Sequence, residues 1–214
     1  MKKIILVIRK VWRAIRTPFL VIFIIVMLIT IWRLPAVKEK KETAKIIAQI
    51  RATKLTLDDV LGKNLPPDPG ADADKTPQGI DANKNGIRDD VELAIFKQYP
   101  TSAKMRAPLL QYALNLQLIA TLPFVNEEIA TAWAEENSRT SDCIADTFVP
   151  RKTPESSRTN AEVEKIDEYY NFLEIKQFNT MQRQKDKDNF YKKIGSHGDA
   201  LGEKCDINPN LLPN

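Results

Sequence analysis

Histidine and cysteine are scarce in this chain. It has one histidine, His197, and two cysteines, Cys143 and Cys205, among 214 residues. That leaves little for zinc or thiol chemistry. There is no nucleophile elbow, phosphate-binding glycine loop or HExxH helix. No paired carboxylates stand out from ordinary helix surface, so no catalytic constellation is expected. His197 lies in the turn Gly195-Ser196-His197-Gly198 and reads as a loop histidine.

Acid is absent from residues 1–17, which carry Lys2, Lys3, Arg9, Lys10, Arg13 and Arg16. Seven of the 32 basic residues and none of the 28 acids precede residue 34, which leaves 25 bases against 28 acids, a net −3, in residues 34–214. The pI near 8.9 therefore belongs to the N-terminal segment. No basic face interleaved with aromatics occurs, and no nucleic-acid partner is expected.

Pro18 to Trp32 runs fifteen residues without a charge, PFLVIFIIVMLITIW. The run lies between a long signal-peptide core and a comfortable span. The residues that follow, Arg33-Leu34-Pro35-Ala36-Val37, offer no small-x-small cleavage site. Arg16 and Arg33 can snorkel, and Trp12 and Trp32 suit the two interfaces. The expectation is a single-pass anchor over 18–34 in the lipid bilayer, with residues 1–17 cytoplasmic and the remainder periplasmic or extracellular. The alternative for the run is a buried core helix.

Beyond the anchor, 35–61 reads as a charged helical stalk whose Lys38–Lys54 part shows a solvated face. Leu55, Leu57, Val60 and Leu61 form a short patch able to dock on a domain. Gly62 to Gly79 is rich in Pro and Gly and is expected to be an irregular connector, reaching to residue 80. Its acids Asp68, Asp72 and Asp74 read as solvated.

Residues 81–92, DANKNGIRDDVE, carry oxygen side chains at positions 1, 3 and 5, glycine at 6 and glutamate at 12. A hard cation takes six to eight oxygens, and this spacing brings Asp81, Asn83 and Asn85 round one side while Gly86 permits the sharp turn. The pattern resembles the EF-hand calcium loop, over these twelve residues alone. The resemblance implies calcium held by Asp81, Asn83, Asn85, the Ile87 carbonyl, Asp89 through a water and both oxygens of Glu92. Three departures mark it as a solitary loop, as in some exported bacterial proteins. Pro66, Pro67, Pro69 and Pro77 exclude an entering helix, position 8, usually apolar where two loops pair, is Arg88, and no second loop exists. An Asn-Gly turn before an acidic helix start is the alternative.

The rest, 89–214, reads as an all-α domain. Helices are expected over Asp89–Tyr99, from a Ser102 cap to about Leu122, from Asn126 towards Ile144, and over Asn160–Ile194 as one helix or two. Val163, Ile166, Tyr170, Leu173 and Gln177 mark a core stripe on the last, widened by Phe172, Ile175 and Phe178. The helix is expected to project or break within the polar Gln182–Asn189, and Gly195 is expected as C-cap. An even cysteine pair in an exported chain predicts a Cys143–Cys205 disulfide. Together these features point to a membrane-anchored exocytoplasmic helical domain with structural calcium, acting as an interaction or envelope module with a protein partner. The alternatives are an exported enzyme of unspecified class and, last, a calcium-regulated switch.

Overall fold

A computed structural model describes residues 2–153, 156–198 and 202–214, and in the first seventeen residues the side chains of Trp12 and Arg16. The basic side chains Lys2, Lys3, Arg9, Lys10 and Arg13 lie outside the described residues. The chain divides into two units, residues 1–45 and 46–214. Among the described residues it is all-helical: α1 (Lys2–Ala52), α2 (Leu57–Leu61), α3 (Asp89–Gln98), α4 (Ala103–Thr121), α5 (Glu127–Phe148), α6 (Asn160–Gln177) and α7 (Met181–Tyr191), with 3-10 turns at Gly70–Asp74 and Pro209–Leu211.

The described residues of the first unit are helix throughout. Its apolar run faces outward on every side: Phe19, Ile22, Leu28 and Trp32 are all more than half exposed. From Pro18 the helix is long and apolar enough to cross a membrane, and none of its apolar window is buried. A buried core helix is therefore excluded for this segment. Pro18 and Pro35 both sit inside α1.

The second unit begins at Ile46, inside the segment read as a stalk. Ile46 and Ile50 are buried, so the face taken as solvated is partly core. In the short patch that follows, Leu55 and Val60 are buried while Leu57 and Leu61 stay exposed. Thr56 and Asp59 form a reciprocal capping box that starts α2, the arrangement that satisfies two orphan N–H groups at a helix start.

Helix α4 is the hub. It packs against α2, α3, α5, α6, α7 and the C-terminal 3-10 turn, and 14 of its 19 residues are buried. Ser102 caps it through Met105 N–H. Leu109, Leu110, Ala113 and Leu116 are completely enclosed. Helices hydrophobic all round are core helices, yet this one also buries Arg106, Gln111, Asn115 and Gln117. Each holds a neighbour by hydrogen bonds: Arg106 donates to the carbonyls of Val60, Tyr99 and Pro100. Gln111 donates to the carbonyl of Lys204 and accepts from Asp206 N–H. Asn115 receives Trp133 Nε1–H at its carbonyl, and Gln117 donates to the carbonyl of Gln78. A buried polar group is tolerable only when bonded, and here the bonds fasten α2, α5, the connector and the C-terminal tail to α4.

The connector is less irregular than expected, since Gly70–Asp74 forms a 3-10 turn. Asp74 is not merely solvated: Arg183 and Asn179 donate to it, and these bonds, Asn179 foremost, hold its carboxyl below the usual range. The last helical stretch is two helices, broken at Phe178–Thr180 and not within Gln182–Asn189. The polar stretch that looked helix-breaking is α7 itself, started by the Thr180 cap and held by buried Arg183 and Phe190. Helix α7 ends at Tyr191 with Lys192 as C-cap, so Gly195 is not the cap. Of the expected stripe, Ile166, Leu173, Gln177 and Phe178 are buried, whereas Val163 and Ile175 are exposed, at 44% and 69%.

The C-terminal tail is tied down twice. Cys143 and Cys205 form a disulfide with Cα atoms 5.1 Å apart. Beside it, Asp206 pairs with buried Arg139 at 2.8 Å and accepts Leu55 N–H at 3.0 Å. Arg139 also pairs with Glu136 at 2.7 Å, so losing Asp206 does not strand it; what is lost is a buried charge-assisted contact, worth about 1.5–3 kcal/mol. Asp206→Ala is expected to lower unfolding free energy by about that amount in a denaturant titration, with the disulfide intact; a loss below about 0.5 kcal/mol would show the pair to be dispensable.

Candidate functional site

Residues 81–92 form a closed turn entering α3. Asp81 accepts the N–H groups of Asn85 at 3.1 Å and Gly86 at 3.0 Å, one on each carboxyl oxygen. Asn83 Oδ1 accepts Asn85 N–H at 3.3 Å and Asn85 Oδ1 accepts Ile87 N–H at 2.9 Å. Side chains of Asp and Asn bonding to backbone two residues on are the local alternative to regular structure. They explain why this stretch is ordered without helix or strand. Gly86 is needed twice: its φ is +85°, and a Cβ there would lie 2.7 Å from Leu114. Lys84 also takes a positive φ, 59°.

Glu92 closes the cluster from the first turn of α3, where the helix dipole favours a carboxylate. The amide NH2 groups of Asn83 and Asn85 each donate to one of its oxygens at 3.0 Å. Asp89 turns the other way: both its oxygens accept Ala82 N–H, at 3.0 and 3.1 Å, while its own N–H donates to the carbonyl of Ile80. The structure thus gathers Asp81, Asn83, Asn85 and Glu92 into one hydrogen-bonded group, and Asp89 folds back onto the start of the loop. Ile87 is fully buried.

Asp89 and Glu92 are fully enclosed. Burial raises the carboxyl of Asp89, and the charges of Asp81 and Asp90 raise it further. Burial pushes Glu92 up to about 7, with Asp59 and Asp89 adding to the rise and the two asparagine amides opposing it. The charges bearing on both acids are therefore negative. Amide and backbone N–H groups hold them where a cation would otherwise be expected.

Among the described residues no three Asp, Glu, His or Cys side chains converge as a metal-holding group. That follows from the composition of the loop. Two of its side-chain oxygens are amides, a third oxygen is a backbone carbonyl, and the Asp89 carboxylate faces Ala82 N–H. The donor set is nonetheless all oxygen, which suits a hard cation such as calcium and not zinc or copper.

Sequence reading marked Arg88 only as a departure from the loop pattern, and the structure makes it the residue that locks the loop in place. Arg88 has no exposed surface. It pairs with Asp90 and donates to the carbonyls of Lys176 and Gln177 at the end of α6. A Cβ at Gly79 would sit 2.3 Å from its Cδ. The one signal was a charged residue at a position expected to be apolar. His197 is exposed, near the carbonyl of Gly195, and belongs to no site. No protein-family description, curated protein or solved structure matches this chain.

The raised Glu92 sets a pH dependence. A carboxyl whose folded pKa lies above its unfolded value binds a proton more tightly when folded, so its contribution is full below about pH 4.5 and is lost as pH rises through about 7. In chelator, the domain is expected to be more stable at pH 5 than at pH 8 by on the order of 3 kcal/mol, measured by denaturant titration. Glu92→Gln should flatten that slope; an unchanged slope would show that another group carries it.

Proposed function

We propose that the chain is a membrane-anchored exocytoplasmic helical domain whose loop 81–92 binds calcium as a structural ion, and that it serves as an interaction or cell-envelope module. The calcium reading is carried by one observation: Asp89 and Glu92 are both buried, and the neighbouring charges that raise their carboxyls are those of other acids. Calcium would supply a compensating positive charge. Asp81, Asn83, Asn85, the Ile87 carbonyl and Glu92 would hold it, with Asp89 reaching it through a water. Three charged ligands and no entering helix imply weak affinity, on the order of 10⁻⁵ to 10⁻³ M, suited to an extracytoplasmic space.

The outward location is supported by the exposed apolar helix, the basic residues before it and the disulfide, since disulfides persist in oxidising compartments. The alternative is an exported enzyme. Two open cavities, of about 630 and 680 Å³, are lined by charged helix and loop surface, and the first includes Asp142, Asp146 and Lys204.

At a hundred times its dissociation constant, calcium should add about 2.7 kcal/mol to stability by mass action. The melting temperature is expected to rise by several degrees. Glu92→Gln should remove most of the rise, Asp68→Asn should leave it, and magnesium should substitute poorly. A melt unmoved at millimolar calcium makes the loop a plain turn. For topology, protease added to intact spheroplasts should digest residues 34–214; their survival there, with digestion only after lysis, would reverse the orientation.

A further inference from the structure

Where two such loops pair, the eighth side chain meets the partner loop. Here that residue is Arg88, and it meets the end of α6. Its guanidinium donates to the carbonyls of Lys176 at 2.6 Å and Gln177 at 2.9 Å, the last carbonyls of a helix, which have no partner inside it. Its own carbonyl accepts the N–H groups of Val91 and Glu92, both at 3.0 Å, and so starts α3. Ile87 and Asp89 flank it in sequence. One residue therefore joins the loop backbone, the start of α3 and the α6–α7 joint at Phe178–Thr180.

The joint is held from its other side too. Arg183, buried in α7, donates to the carbonyls of Thr76 and Pro77 in the connector that leads into the loop. Gln177 bonds Gln117, which bonds the carbonyl of Gln78. The loop and the joint are thus closed into a ring of hydrogen bonds, of which the two at Gln177 are fully buried. Rearranging such bonds singly leaves a buried donor or acceptor unpaired, which favours all-or-none behaviour over gradual give.

We propose that the α6–α7 joint is the partner of loop 81–92, so that Arg88 couples calcium in the loop to order in the joint. This rests on the calcium reading of the loop and adds a regulatory link to it. Calcium ligation fixes the backbone on both sides of Arg88, which holds its guanidinium against α6 and keeps the joint formed. Coupling between sites is reciprocal, so loosening the joint weakens calcium binding although no joint residue is a ligand.

Thr180 and Thr159 allow a matched test. Each caps a helix through its side-chain oxygen, Thr180 at the joint and Thr159 at the opposite end of α6. Calcium is titrated by calorimetry into the full chain in detergent. Thr180→Ala is expected to raise the dissociation constant about fivefold, the low end of ordinary coupling, while Thr159→Ala leaves it at the wild-type value. In an Arg88→Lys background, which keeps the charge and loses the planar fork, Thr180→Ala should no longer change the constant. If Arg88→Lys does not fold, the comparison of the two threonine variants decides alone. Calcium heat with equal constants for wild type, Thr180→Ala and Thr159→Ala would overturn the coupling and leave the site standing. No calcium heat in the wild type would overturn the site and the coupling with it.

Discussion

Arg88 carries a full charge with no contact with water, and the second unit is arranged so that this is tolerable. An unpaired buried charge costs many kcal/mol, and a paired one is stable only when its remaining donors are bonded as well. Asp90 supplies the counter-charge and the end of α6 supplies two carbonyls. Meeting those demands fixes three things. The connector must pass with a glycine at residue 79, α6 must stop at Gln177, and the loop must turn sharply enough to deliver Arg88 inward. The same solution recurs at Arg183 and Arg106, each buried and each bonded to backbone carbonyls of short elements and the segments beside them. This unit uses arginine as an interior fastener for loops, with α4 as the apolar post they are fastened around.

That design explains which features were legible in the sequence. Caps were legible because they are local: Ser102 and Asn126 each bond the backbone three residues on. The disulfide was legible because two cysteines allow one pairing. The helix from Pro18 was legible because a run apolar on every face has few other uses. What stayed hidden was long-range. Helix α7 is polar on most of its surface, and what makes it part of the fold is Arg183, with partners more than a hundred residues upstream, and Phe190 packed on Trp133. Ile175 and Val163 fit the apolar stripe yet face outward, because spacing identifies a face without saying whether anything covers it. Arg88 was visible as an anomaly, but its meaning depended on α6, 88 residues away.

Loop 81–92 sits between these two kinds of information. Its turn is local and was readable: Asp81, Asn83 and Asn85 bond their own backbone, and Gly86 takes the positive φ that the spacing requires. The electrostatic condition was not readable. Burial of Asp89 and Glu92, with acidic neighbours raising both carboxyls, is a tertiary property. Protons, N–H donors or a cation can offset such burial, and oxygen ligands alone favour a hard ion.

Equilibrium dialysis of the full chain in detergent against labelled calcium at pH 7.5 distinguishes the cation from the other two. A structural calcium loop predicts one ion bound per chain at millimolar free calcium, and loss of that ion in Asn83→Ala, which removes a proposed ligand without removing a charge. No retained ion in the wild type would mean that the buried carboxylates are satisfied by protons and amides alone, and that residues 81–92 are a turn.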